Sequence, residues 1–321
     1  MSSRLRIGFL MDPLEHVRVN HDTTFLLMRA AQRRGHDVLV FEQHQLGFHT
    51  DRAVARMRRV EVRDRQGDHF TVLEESLVPV AELDAAFLRK EPPVDADFLH
   101  ATQLMELHGA GKGPFLVNSP AGLREANEKL FALHFTRWMP RTLVSADMRV
   151  MQAFVEEVGE AILKPVDGFA GRGIVALRAG DRNTVPLLEM ATMNGKTHAI
   201  VQAFLPASRE GDKRILLLDG DPIGALLRVP RDGDLRANMA AGGSAVKASL
   251  TPRELELIAD LKPMLISRGL HFVGIDVIGE RLTEVNVTSP TGAAEVDLLD
   301  GVDTGALMME WLEAKLNARA G

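Results

Sequence analysis

Two carboxylates and a carboxamide in the C-terminal part of the chain have a spacing that could do chemistry. Phe272 to Ile278 and Leu282 to Val287 are short β-branched runs around a glycine-containing turn, which predicts a β-hairpin. With a three-residue loop, Gly279-Glu280-Arg281, Ile278 pairs with Leu282, Asp276 lies opposite Glu284, and Gly274 lies opposite Asn286. One face then presents Asp276, Glu284 and Asn286. The other carries Val273, Ile275, Val277, Thr283, Val285 and Val287, a set suited to a core. A two-residue loop slips the register and breaks that set, so the pattern selects the longer loop. Carboxylates facing each other across a ladder repel unless a cation sits between them. Oxygen ligands of this kind suit Mg²⁺ bridging nucleotide phosphates; an exposed polar sheet face has the same spacing.

A second candidate is Lys164-Pro165-Val166-Asp167-Gly168-Phe169-Ala170-Gly171-Arg172-Gly173, a lysine at a strand end before a glycine-rich turn. Such a turn can aim successive backbone N–H groups at phosphate oxygens. No helical pattern follows it, so it is neither a Walker A loop nor a dinucleotide fingerprint, and a plain hairpin turn fits the same residues. The basic residues Lys129, Lys213, Arg214, Arg228 and Arg236 lie on separate segments. Arg228 stands out because it ends an apolar strand beside a long loop, where a guanidinium suits a carboxylate or phosphate. His16, His21, His36, His44 and His49 have no metal-ligand spacing and read as surface or supporting groups. Met148, Met151, Met190, Met193, Met308 and Met309 read as core or gap-filling residues.

The elements that must position these groups begin with alternating strands and helices. Leu5 to Met11, Val38 to Phe41, Ala85 to Leu88 and Phe115 to Val117 read as strands, with a helix from Asp22 to Gly35. That rhythm predicts a mostly parallel sheet flanked by helices. The segment from Arg52 to Glu75 fits a hairpin or a loop. Ser119-Pro120 opens a helix expected to run to Phe135. A smaller α/β unit follows: strand Thr142 to Val144, helix Asp147 to Val158, strand Ala161 to Lys164 and strand Ile174 to Arg178. Next come strand Ala199 to Phe204 and a hairpin, Arg214 to Leu218 and Ile223 to Val229, around Asp219-Gly220-Asp221-Pro222. The polar, small-residue stretch Pro230 to Lys247 is long enough for a functional loop. Thr251-Pro252-Arg253-Glu254 is a capping box opening a helix to about Ser267.

A chain of 321 residues, 45% hydrophobic and 26% charged, can bury the core of two or three domains. Its formal charge of −6 argues against a nucleic-acid partner and favours small molecules. With no cysteine it has neither disulfides nor a catalytic thiol, so any thiol belongs to a substrate. The first residues lack a signal-peptide h-region, and no apolar run approaches the ~20 residues of a membrane span, which predicts a cytoplasmic protein with no membrane partner.

Taken together, several segments resemble the bacterial glutathione synthetase family along essentially the whole chain. They are Met11-Asp12-Pro13, Asp22-Thr23-Thr24-Phe25, Ala31 to Gly35, Arg89-Lys90-Glu91-Pro92-Pro93, Asn127-Glu128-Lys129-Leu130, Ile162-Leu163-Lys164-Pro165, Gly211-Asp212-Lys213-Arg214, Asn238 to Gly243 and Glu284 to Thr291. The resemblance implies an α/β ATP-grasp fold in three parts: an N-terminal parallel-sheet domain (1–124), a small central lid (125–205) and a C-terminal mixed-sheet catalytic domain (206–321). It also implies ATP-dependent ligation of γ-glutamylcysteine with glycine through an acyl phosphate, two Mg²⁺ ions with Mn²⁺ as a possible substitute, and a homotetramer. By position, Lys129, Lys164, Gly168, Gly171, Gln202, Ala203, Phe204, Leu205 and Asp212 would hold ATP, with Gln202 to Leu205 as the adenine hinge. Asp276, Glu284 and Asn286 would hold metal. Arg214 and Arg228 would be catalytic and, with Asn286, Ser289, Thr291, Gly242 and Gly243, would meet the peptide. The loop Pro230 to Lys247 would be a mobile flap. The chain departs from the family at Phe169-Ala170 in the glycine-rich turn, at Ser244 where arginine is usual, and at Ala293-Ala294; these positions bear on the acceptor. A ligase with another acceptor, or a nucleotide-binding protein without turnover, are the alternatives.

Overall fold

The computed structural model describes residues 4–109, 113–168, 171–231, 237 and 242–320, which form three sheets in sequence order. The first contains β1 (Arg6–Met11), β2 (Asp37–Phe41), β3 (Leu46–His49), β4 (Arg52–Val62), β5 (Phe70–Pro79), β6 (Ala85–Arg89) and β7 (Phe115–Val117). Between them lie α1 (Thr23–Arg33) and α2 (Ala96–Leu104), and α3 (Pro120–Glu125) follows. The strands β2, β1, β6 and β7 are parallel neighbours, as the βα rhythm requires. The segment 52–75 resolves as a hairpin: β4 pairs antiparallel with β5, and also with β2 and β3. Most of β5 is exposed, so its sequence lacks the apolar alternation that would have marked it as a strand.

The second sheet, ordered β10-β9-β11-β8, is antiparallel and comprises β8 (Thr142–Ser145), β9 (Glu160–Pro165), β10 (Val175–Arg178) and β11 (Ala199–Ala203). Its helices are α4 (Met148–Val158), capped by Asp147, and α5 (Thr184–Ala191), which the sequence reading passed over. The third sheet, ordered β14-β13-β12-β15-β16, holds β12 (Asp212–Leu218), β13 (Asp221–Val229), β14 (Ser244–Lys247), β15 (Phe272–Ile278) and β16 (Arg281–Asn286). All its described pairings are antiparallel; the mixed sheet is the N-terminal one. The helix α6 (Pro252–Ser267) opens with the expected capping box, and α7 (Ala293–Asp300) and α8 (Thr304–Ala320) close the chain. Among the described residues no helix is long and apolar enough to cross a membrane.

The first and third sheets share their cores. One cluster joins Leu10, Phe41 and Leu88 to Ile275, Val285 and Leu261, and another joins Phe9 and Phe87 to Leu216, Val296 and Met309. The second sheet has a small core of its own, built from Met151, Val155, Leu163, Leu177, Leu188 and Val201. Met151, Met308 and Met309 are core as expected, but Met190 and Met193 are exposed. His36 is buried rather than superficial: its Nδ1 accepts from Leu5 N and its Nε2 meets Glu313 at 2.9 Å.

Two elements differ from expectation close to the candidate chemistry. The helix opened by Ser119 stops at Glu125 instead of Phe135. Asn127 Oδ1 accepts from both Lys129 N and Leu130 N at 3.1 Å, an Asx turn that replaces helical bonds. Glu128 is drawn to β16, its carbonyl accepting from Val285 N at 2.9 Å and its Oε1 from Val287 N at 3.2 Å. A short 3₁₀ stretch, Phe131–Trp138, follows.

The hairpin β15–β16 turns through two residues, not three. Gly279 and Glu280 both have positive φ (54° and 62°), and Ile278 pairs with Arg281, as a primed turn requires. A bulge between Asp276 and Val277 absorbs the slip, so Val277 faces Leu282 while Asp276 still faces Glu284 and Gly274 still faces Asn286. Thr283, assigned to the apolar face, instead lines the cleft beside Glu284, and Leu282 takes its place in the core.

Candidate active site

Alternation along β12 puts Asp212 and Arg214 on one face, and the sheet continues that row on both sides. Asp212 lies opposite Arg228 of β13, Arg214 lies opposite Asp276 of β15, and Asp276 lies opposite Glu284 of β16. The side chains interlock: Arg214 Nε donates to Asp276 Oδ1 at 2.5 Å and Nη2 to Oδ2 at 3.1 Å. Arg228 Nη2 bridges Asp212 Oδ2 at 2.6 Å and Asp276 Oδ2 at 2.9 Å. Gly274 makes room for this packing, since a Cβ there would lie 3.1 Å from Arg214 Cδ and 3.0 Å from Pro290 Cβ.

Burial opposes ionisation of Asp276, but the two guanidiniums outweigh it and hold the carboxyl below its ordinary range. Asp212 behaves oppositely. Burial pushes it up to about 7, with Asp276 and Glu284 adding repulsion against the pull of Arg228 and Arg214. Its Oδ1 is buried without a partner.

The sign of the stability effect follows. Between its ordinary 3.8 and about 7, the folded protein holds a proton on Asp212 that the unfolded chain has released, so this group makes stability fall as pH rises. Relative to wild type, Asp212→Asn should therefore gain up to ~1.4 kcal/mol per pH unit across pH 5 to 7 and level off above. Urea melts of both proteins at each pH measure it; a pH-independent difference would refute the assignment.

Two buried lysines face this row. Lys129, from the Asx turn, donates through Nζ to Gly168 O and lies 3.6 Å from Glu284 Oε1. Lys164, in β9, has its pKa lowered by burial, with Lys129 adding to the effect. Asn127 Nδ2 donates to Asp167 Oδ1 at 3.0 Å and so ties that turn to the glycine-rich turn.

Two clefts meet here. The first is lined by every residue assigned to the nucleotide: Lys129, Lys164, Gly168, Gly171, Gln202, Ala203, Phe204, Leu205 and Asp212. Ile162, Ile174, Ile278 and Thr283, among others, also line its walls, and none of the four is a site residue expected from the sequence. The alternation of β9 and β15 carried the signal for two of them, since Ile162 lies two residues from Lys164 and Ile278 two from Asp276. Gln202 Nε2 donates to Thr142 Oγ1 at 2.8 Å, which fixes the strand end next to Ala203 to Leu205.

The second, wider cleft is lined by Arg214, Arg228, Asn286, Ser289 and Thr291, and by Asp12, Asp22, Arg89 and Glu91 from the first sheet's loops. Glu284 lines both clefts. Gly242 and Gly243 line neither: Gly242 O accepts from Arg231 Nε at 2.6 Å, and Gly243 packs on Val229 O. Ser244 is exposed at the start of edge strand β14, opposite Val229. Ala293 is buried at the start of α7, its N–H donating to Thr23 Oγ1 at 3.3 Å, so a small residue fits there. Phe169, Ala170, Arg236 and Asn238 to Ala241 lie outside the described residues.

Residues 5–124 match the family described as "Prokaryotic glutathione synthetase, N-terminal domain", and residues 128–301 match "Prokaryotic glutathione synthetase, ATP-grasp domain". The chain belongs to the prokaryotic glutathione synthetase family. Among its relatives are the glutathione synthetases of Gloeobacter violaceus, 46% identical over 312 residues (96% of each chain), and of Synechocystis sp., 46% identical over 318 residues (96% of this chain, 99% of that one). The fold is that of ATP-grasp ligases. D-cycloserine synthetase DcsG superposes with a TM-score of 0.66 at 15% identity, covering 97% of this chain and 99% of that one. The ATP-grasp ligase PsnB, complexed with its precursor peptide PsnA2 and AMPPNP, gives 0.62 at 18% identity, covering 97% and 98%. As a member of this family the chain is an ATP-dependent ligase that uses ATP and a divalent metal.

The residues here fit a divalent cation. The Glu284 side chain makes no hydrogen bond among the described residues, and burial, with neighbouring carboxylates adding repulsion, raises Asp212 and Glu128 above their ordinary range. A donor set of carboxylate and amide oxygens suits a hard ion. Both oxygens of Asp276 already hold arginines, so that carboxylate would be shared.

Proposed function

We propose that this enzyme is a glutathione synthase, joining γ-glutamylcysteine to glycine with ATP converted to ADP and phosphate. The observation that carries the reading is the position of Glu284 at the junction of two clefts, one apolar-walled and bordered by buried lysines, the other rich in arginine. ATP lies in the first, its adenine against Gln202 to Leu205 and its phosphates at Lys129, Lys164 and the turn Gly168 to Gly171. Lys164, whose protonation is weakened by burial with Lys129 adding repulsion, gains from a polyphosphate beside it. Asp276, Glu284 and Asn286 would hold two Mg²⁺, or Mn²⁺ in their place. When bound, the metal neutralises phosphate charge and aligns the γ-phosphoryl group.

In the second cleft Arg214 and Arg228 orient the peptide's cysteinyl carboxylate, with Ser289 and Thr291 beside it. One carboxylate oxygen attacks the γ-phosphorus and ADP departs, leaving an acyl phosphate. Glycine's amine then attacks the acyl carbon and expels phosphate, which carries off the proton lost by the amine. No protein nucleophile is needed; the side chains position the reactants and balance charge. The central unit, residues 125–205 with its separate core, acts as a lid over the nucleotide between domains 1–124 and 206–321. Of the expected flap 230–247, residues 232–236 and 238–241 lie outside the described residues and Ser244–Lys247 is the edge strand β14 rather than loop, so this segment is given no closing role. The same reading carries a cytoplasmic homotetramer, which sedimentation velocity checks.

The test is ADP release with γ-glutamylcysteine as glycine is exchanged for other amines. The expected result is turnover that depends on glycine and formation of the tripeptide by mass. Turnover indifferent to glycine would place the chain among ligases with another acceptor.

A further inference from the structure

Arg89 is buried in the second cleft and forms no ion pair among the described residues, with Asp22 and Glu91 acting on its charge only from a distance. Its residue is 3% exposed; Nε donates to Thr24 Oγ1 at 3.2 Å and Nη2 to Pro290 O at 2.8 Å, and its guanidinium lies over the Phe272 ring at 5.3 Å. Its Nη1 has no partner, and no carboxylate pairs with it among the described residues. Burial pushes its pKa down to about 10, so it remains a cation at neutral pH, stripped of water and incompletely bonded. Such a group in a cleft wall is complementary to an anion.

Acids stand beside it. Asp12 is occupied, by Lys90 Nζ at 2.9 Å and Glu91 N at 2.8 Å, and one oxygen of Asp22 caps α1. Glu91 forms no ion pair among the described residues, and burial together with Asp12 and Asp22 raises its pKa, so a cation there would be welcome. A guanidinium with a free Nη1, beside an exposed carboxylate without an ion pair and the second oxygen of Asp22, matches a zwitterion. Arg89 holds the carbonyl of Pro290 and Arg214 holds that of Thr291, so one loop sets both arginines along the same cleft.

We infer that Arg89, with Glu91 and Asp22, recognises the free amino-acid end of the peptide substrate, Arg89 binding the γ-glutamyl α-carboxylate and the acids its ammonium. The inference rests on γ-glutamylcysteine being the substrate. It makes the cleft a ruler: a γ-linked dipeptide has a carboxylate at each end, one at Arg89 and the reacting one at Arg214 and Arg228.

The test compares kcat/KM for γ-glutamylcysteine, 4-aminobutanoyl-cysteine, which lacks the α-carboxylate, and glutaryl-cysteine, which lacks the ammonium. Wild type should disfavour 4-aminobutanoyl-cysteine by ~10²-fold. In Arg89→Met that preference should shrink to within ~3-fold of unity, while the preference over glutaryl-cysteine and KM for ATP persist. Arg89→Lys, which keeps the charge if Met disturbs folding, should keep an intermediate preference. Glu91→Gln should relax only the ammonium preference. Equal loss on both γ-glutamylcysteine and 4-aminobutanoyl-cysteine would mean that Arg89 only braces the Pro290 loop, and an unchanged ratio would likewise overturn the assignment. Wild-type turnover of γ-glutamylcysteine with glycine reports separately on the proposed function.

Discussion

Glu284→Gln should lower kcat/KM for ligation by ~10²–10³-fold while leaving the melting temperature nearly unchanged. The side chain is 22% exposed, makes no hydrogen bond among the described residues, and has Lys129 Nζ 3.6 Å away as its ion-pair partner. At that distance the pair is loose, and the repulsion of Asp212 and Glu128 that is relieved when Glu284 loses its charge offsets the pull withdrawn from buried Lys129; the amide has the same shape. The catalytic cost is larger because Glu284 is shared by both clefts, where the proposed function would have charge build as the γ-phosphoryl group is transferred. The loss should lessen at high Mg²⁺ if metal affinity is the cause. ADP release under a Mg²⁺ titration, beside a thermal melt, checks both halves; an unchanged rate would remove Glu284 from the metal site.

Much of this site was legible because β-sheets convert a period of two into shared faces. Asp212 and Arg214, or Glu284 and Asn286, are two apart and must project together. The facing of Asp276 and Glu284 was recovered although the turn was misread, because the core demanded that register and the bulge supplied it. What stayed hidden depends on partners distant in sequence. The helix after Ser119 has an acceptable helical composition, and what stops it is the Asn127 Asx turn held by the bonds from Glu128 to β16 and its flank. Thr283 moved from core to cleft because a bulge sets consecutive side chains on one side. Arg89 appeared as part of a motif, but the lack of an ion pair among the described residues is a property of its neighbours, which no local pattern reports.

Asp276→Ala should cost stability as well as activity, by ~3–5 kcal/mol, or a fall in melting temperature on the order of 10 °C. Asp276 is the carboxylate shared by Arg214 and Arg228, all three nearly buried at 4%, 7% and 6% side-chain exposure. Removing it leaves Arg228 with Asp212, and Arg214 with no carboxylate partner, its remaining bond being to Thr291 O. The penalty comes from an uncompensated buried charge more than from a lost attraction, which sets a second expectation. Adding Arg214→Met to Asp276→Ala should recover part of the stability, a positive coupling, without recovering ligation. The pH dependence separates this from simple loss of packing. Asp276 is held below its ordinary 3.8, so its stabilisation is full above that value and fades as acid titrates it. The gap between wild type and Asp276→Ala should therefore narrow below about pH 4, whereas a cavity would leave the gap independent of pH. Chemical denaturation of the single and double variants from pH 3 to 8 decides between them, and additive losses would show that the two arginines do not depend on this carboxylate for their place in the sheet.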